Sequence, residues 1–154
     1  AMGGGAAMNE ANEQLVQAAI AATHNAYAPY SNFHVGAALL LDDGKIVTGS
    51  NFENASYGMT LCAETVAIAK ANSDGQMRRI VAIAVAGGPK SSEGGAVIGA
   101  EPITPCGRCR QVIKEVADEV AIDLPVHCVH ASGYETHLLS ELLPHGFGPA
   151  NLKS

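Results

Sequence analysis

Apolar and polar positions recur along this chain with two different periods, and the switches between them mark its elements. From Asn9 to about Asn25, Leu15, Ala18, Ala19 and Ala22 fall at helical spacing and Ala26 continues the stripe, which predicts a first helix. Pro29, in Ala28-Pro29-Tyr30-Ser31, cannot continue it. His34 to Leu41 holds a short apolar run, Asp42-Asp43-Gly44 is a turn signal, and Lys45 to Ser50 returns, so these residues form a hairpin. Asn51 to Gly58 is a polar loop, and Leu61 to Ala71, Ala-rich with a period of ~3.6, is a second helix. Ile80-Val81-Ala82-Ile83-Ala84-Val85 is continuously apolar, the pattern of a strand buried on both faces. Gly87 to Pro105 is a Gly/Ser/Pro-rich surface loop, with Ala96-Val97-Ile98 as a candidate strand extension. Cys106 to Val120 sets Val112, Ile113, Val116 and Val120 along one side of a third helix. Leu124 to Val129 and Glu135 to Leu139 read as further strands, followed by a turn at Glu141-Leu142-Leu143.

Strands interleaved with helices imply an α/β fold, a three-layer α-β-α sandwich around a mixed five-stranded sheet. The chain shows no internal repeat and no dividing linker, so residues 9–154 are expected to form one domain. Residues 1–8, opening Ala1-Met2-Gly3-Gly4-Gly5, read as an expression scar or disordered tail. With 47% hydrophobic and 16% charged residues, the composition is that of a globular domain rather than a disordered chain. No apolar run is long enough for a membrane helix, and no basic segment followed by an apolar one opens the chain, so neither membrane nor secretion is expected. A formal net charge of −6 is poorly suited to phosphate-rich polymers, which bind through Lys/Arg clusters. A neutral small molecule is the easier partner.

The candidate chemistry lies in Cys62-Ala63-Glu64 and Pro105-Cys106-Gly107-Arg108-Cys109. Clustered cysteines without a secretion signal point to metal ligands in a reducing cytoplasm, not to a disulfide framework. Cys106 and Cys109 share a helical face, and Pro105 suits a helix start. Cys62 opens the preceding helix, so all three sulfurs would sit at helix N-termini, whose partial charge of about +0.5 lowers thiol pKa. Three ligands leave zinc a fourth position, as in catalytic rather than structural sites, and a water bound there becomes acidic. Glu64, two residues from Cys62, shares no helical face with it. It reaches the metal only if the ion lies beyond the helix end. A structural zinc would need a fourth ligand, but Cys128, in an apolar strand, reads as a buried free cysteine. His34 alternates with Phe33 and should face the opposite side of its strand.

These motifs, with Tyr30-Ser-Asn-Phe33-His-Val-Gly36, Gly49-Ser-Asn51-Phe-Glu53-Asn54-Ala55-Ser-Tyr57, the extension Arg110-Gln111 and Leu142-Leu-Pro-His-Gly-Phe147, resemble the small zinc-dependent cytidine deaminases from about Asn12 to Leu152. The blasticidin-S deaminases share the Cys-Ala-Glu and Cys-Gly-Arg-Cys-Arg-Gln segments. The resemblance implies zinc on Cys62, Cys106 and Cys109, with Glu64 as proton shuttle in converting cytidine and deoxycytidine to the uridine forms and ammonia. It further implies Asn51 and Glu53 on the ribose hydroxyls, Phe33 against the nucleoside, and the Ala63 N–H and Thr104 carbonyl at the pyrimidine. In a homotetramer, Ala55 and Tyr57 from one neighbour and Phe147 from another would complete each pocket. The chain departs from the family at Thr65, where many tetrameric members carry an Arg thought to offset thiolate charge. The helix N-termini, Arg108 and Arg110 are the remaining candidates for that task. Two other functions stay in view: deamination of blasticidin S or another modified cytosine, and a non-catalytic zinc-stabilised binding module. Cys62, standing where polynucleotide-editing deaminases usually have His, weighs against that class.

Overall fold

The structure, a computed structural model, describes the backbone of residues 2–153 and the side chains from Asn9 to Lys153. Ala1 and the side chains of the expected tail lie outside the described residues. The elements are α1 (Met2–Ala22), β1 (Phe33–Leu41), β2 (Ile46–Ser50), α2 (Ala63–Ser73), β3 (Ile80–Pro89), α3 (Gly107–Val120), β4 (Pro125–His130), β5 (Gly133–Leu138), α4 (Leu139–Leu142) and α5 (Pro149–Leu152).

The sheet order is β2-β1-β3-β4-β5, with only β3 and β4 parallel among neighbouring strands. Alternation along β1 assigns its two faces. Ala37, Leu39 and Leu41 join Ala63, Ala67 and Ile68 of α2 and Ile113 and Val116 of α3, while Ala38 joins Leu15, Val16 and Ala19 of α1. Helices therefore cover both faces of the mixed sheet, the expected three layers. The expected hairpin closes through the bonds Leu41 N–H to Lys45 O and Gly44 N–H to Leu41 O.

The backbone of α1 begins at Met2, within the expected tail, and α4 is helical where a turn is expected. Three further elements differ from expectation. β3 extends past Val85 because the small residues Ala86, Gly87 and Gly88 still pair with Gly36, Val35 and His34 of β1. Ala96-Val97-Ile98 forms no strand. It contributes one bridge, Lys90 to Ala96, since β1 and β4 already occupy the two sides of β3. α5 was hidden by the Gly/Pro run before it. Pro149 takes its first position, where a missing N–H costs nothing.

The topology itself creates a site. β2 and β3 both run antiparallel to β1, hence parallel to each other, and end at the same edge of the sheet. The helices that follow them, α2 and α3, therefore begin side by side beyond the C-terminal ends of these strands, the usual ligand position in an open α/β sheet. Gly49 permits this approach. A Cβ there would meet the Ala63 carbonyl oxygen and the Ala67 nitrogen, each at 2.5 Å, and backbone cannot move aside as a side chain can.

Gly49→Ala is expected to destabilise the protein by ~1–3 kcal/mol, the usual cost of overpacking. Gly99→Ala, which meets open space, should stay within ~0.5 kcal/mol. Urea midpoints that fall equally for the two variants would contradict this role for Gly49.

Candidate metal and active site

Cys62 and Cys106 are the N-cap residues of α2 and α3, both with extended backbone (φ −76°, ψ 154° and φ −66°, ψ 169°). Their carbonyls accept the first helical bonds, from Val66 and Arg110. Cys109 lies in the first turn of α3, so the two helix starts bring the Cys62, Cys106 and Cys109 sulfurs within 4.8 Å of one another. The Cys62 and Cys106 sulfurs are 3.6 Å apart. A tetrahedral ion with Zn–S bonds near 2.3 Å needs sulfurs about 3.8 Å apart, so the cluster fits zinc with little movement. All four cysteines are free, and Cys128 is buried within β4, outside the cluster. The Cys62 thiol is lowered to about 6, chiefly by a hydrogen bond from Cys109. Cys106 and Arg108 assist, and burial opposes them. The Cys109 thiol is raised, first by its bond to Cys62 and then by burial. The two opposite shifts favour loss of the first proton from Cys62 rather than from Cys109.

From the first turn of α2, Glu64 lines the same cleft as Cys62, the N-cap residue of that helix, and Cys106. It is 3% exposed, and burial, with the nearby Cys62 charge, raises its carboxyl to about 7 against the pull of its own backbone N–H and of Cys109. A carboxyl in that range can both take and give a proton.

The cleft holds about 450 Å³. Phe33, Asn51, Glu53, Ala63 and Thr104 all line it. The Asn51 amide is heavily used: Oδ1 accepts from Val35 N at 2.9 Å and Nδ2 donates to the Phe33 carbonyl at 2.9 Å, fixing the start of β1. Glu53 Oε1 accepts from the Tyr30 and Ser31 backbone N–H groups at 2.9 and 3.1 Å, and Oε2 from the Ser31 hydroxyl at 2.5 Å. Burial alone would raise the Glu53 carboxyl, but these three donors outweigh it and hold the group below its ordinary range. His34 faces the other side of β1, as expected, with Nδ1 3.2 Å from the Thr23 carbonyl.

Ala55, Tyr57 and Phe147 are not brought into this cleft. They are exposed, Tyr57 by 74% and Phe147 by 58%, with Tyr57 edge-on to Tyr30 at 5.7 Å. Of the two arginines considered for the sulfurs, Arg110 is committed elsewhere. It donates to the Pro105 and Leu142 carbonyls and the Thr104 hydroxyl. Arg108 is exposed and acts on Cys62 only through its charge. Two contacts escaped sequence reasoning: the Ser31 clamp on Glu53, and the Thr65 hydroxyl 3.6 Å from the Cys109 sulfur. Ser31 was at least legible as part of the Tyr30-Ser-Asn-Phe33 motif. Thr65 registered only as a departure.

The pattern of the cytidine and deoxycytidylate deaminase zinc-binding region matches residues 9–122. A cytidine deaminase of Halalkalibacterium halodurans is 44% identical over 136 residues, covering 88% of this chain and 92% of that protein. One of Mycobacterium tuberculosis is 44% identical over 128 residues, 82% of each. The crystal structure of cytidine deaminase from Burkholderia pseudomallei superposes with a TM-score of 0.74 at 42% identity, covering 88% of this chain and 98% of that one. Three sulfurs at two paired helix starts, a buried carboxyl beside them and these likenesses lead to one assignment: this chain belongs to the cytidine and deoxycytidylate deaminase zinc-binding family.

Proposed function

We propose that this chain is a zinc-dependent hydrolytic deaminase that converts cytidine and deoxycytidine, with water, to uridine and deoxyuridine plus ammonia. The observation that carries this reading is one cleft lined by Cys62 and Cys106 of the three-sulfur cluster, the buried Glu64 and the carboxylate acceptor Glu53. Cys62, Cys106 and Cys109 would hold the zinc, which would supply Lewis acidity and make a nearby water more acidic. Glu64 takes one proton from the attacking water and gives it to ring N3, then takes the second proton from the hydroxyl added to the ring and gives it to the departing amine. The cluster offers three protein ligands among the described residues, which leaves room for that water and weighs against a purely structural metal.

The other residues position the nucleoside. Glu53, kept ionised by its three donors, retains free lone pairs to accept from a ribose hydroxyl. Asn51, rigidly held, presents its remaining amide capacity to the same diol. Phe33 flanks the sugar and base, while the Ala63 N–H and the Thr104 carbonyl meet the pyrimidine. Ala55 and Tyr57 of one neighbour and Phe147 of another close the pocket in a homotetramer. Exposed aromatics standing outside the single-chain cleft support that assembly. No helix among the described residues is long and apolar enough to cross a membrane. Four free thiols suit a reducing cytoplasm.

Glu64→Ala should keep its zinc, measured as metal per chain, and lose at least ~10²-fold in kcat. Near-normal turnover by that variant rules out the shuttle role. The cleft lining holds two carboxylates, Glu53 and Glu64, and neither Lys nor Arg. A phosphate on the sugar would therefore meet the Glu53 charge with no Lys or Arg of this cleft lining to pair with it. Deoxycytidine 5′-monophosphate should show kcat/KM at least ~10-fold below that of deoxycytidine in side-by-side absorbance assays. Equal values contradict the nucleoside reading, and a higher rate on blasticidin S than on either nucleoside shifts the assignment to that substrate.

A further inference from the structure

We propose that the Thr65 hydroxyl donates a hydrogen bond to the Cys109 sulfur and so stabilises the most deeply buried of the three metal-binding thiolates, making Thr65 a positioning residue of the metal site. This rests on the reading that Cys62, Cys106 and Cys109 hold zinc. Three thiolates on one divalent ion leave a net negative charge, and the sulfurs differ in access to water. Cys106 is exposed and Cys62 half-buried, so solvent can reach both, whereas Cys109 is 0% exposed. A buried charge needs a donor from the protein. Arg110 is spent on carbonyls and a hydroxyl, and Arg108 lies exposed.

Thr65 and Cys109 are each the third residue of their helices, α2 and α3, so the side-by-side helix starts bring them together. Oγ1 stands 3.6 Å from Sγ. A helical threonine more often turns its hydroxyl back to the carbonyl four residues earlier. Here that carbonyl, of Leu61, already accepts from Phe52 N at 2.9 Å. A sulfur bound to metal has no proton, so the hydroxyl is the donor and the bond is charge-assisted.

The test uses Thr65→Val, which removes the hydroxyl at nearly constant shape, and Thr65→Ser, which restores it. With cobalt(II) in place of zinc, the sulfur-to-metal charge-transfer band reports the energy of the sulfur lone pairs. The Val variant should shift that band to longer wavelength and lose ~10–100-fold in zinc affinity against a chromophoric chelator, while the Ser variant keeps both at the parent values. A Val variant indistinguishable from the parent, or a Ser variant that behaves like Val, overturns the proposal. If the Val variant does not fold, Thr65→Ala compared with Thr65→Ser gives the same reading. A parent protein lacking the band altogether refutes the metal reading itself, and this proposal with it.

Discussion

Two helix N-termini set side by side are the constraint on which the site depends. Each start leaves unpaired N–H groups and a partial positive charge, and between them lie three sulfurs and a buried carboxyl. Gathering so much potential negative charge in one place would be costly elsewhere in the fold. The strand directions favour the meeting, since β2 and β3 both run antiparallel to β1 and deliver the chain to the same end of the sheet. The glycine at position 49 then lets α2 lie directly on the sheet.

The cleft also separates two carboxyl groups by environment. Glu53 sits under two backbone N–H groups and a hydroxyl and is held in its charged form. Glu64 is enclosed, meets the charge of Cys62 and is raised to about 7. The same chemical group is thereby held charged in one half of the cleft and able to gain or lose a proton near neutrality in the other. Tyr30 and Ser31, which set the first of these roles, lie 23 and 22 residues from Glu53 in sequence.

Local features of the chain carried much of this. The hairpin was legible because apolar runs flank Asp42-Asp43-Gly44, and the sulfur cluster because Cys62 and Cys106 stand at helix starts. Glu64 was legible beside them because two residues after the N-cap is still the first turn of α2, at the same cleft. What stayed hidden depends on pairs from distant elements. Thr65 meets Cys109 across 44 residues, and neither position has a local pattern that announces the bond. The extension of β3 past Val85 comes from pairing with β1, which outweighs the poor strand propensity of Gly87 and Gly88. Ala55, Tyr57 and Phe147 entered only through resemblance, and one chain does not bring them to the cleft.

The decisive quantity is the number of protein ligands on the metal. X-ray absorption at the zinc edge of the purified protein should give a first shell of three sulfurs near ~2.3 Å and one oxygen near ~2.0 Å. A shell of four protein ligands, whether a fourth sulfur or an imidazole, would remove the position at which water must bind and contradict the catalytic reading.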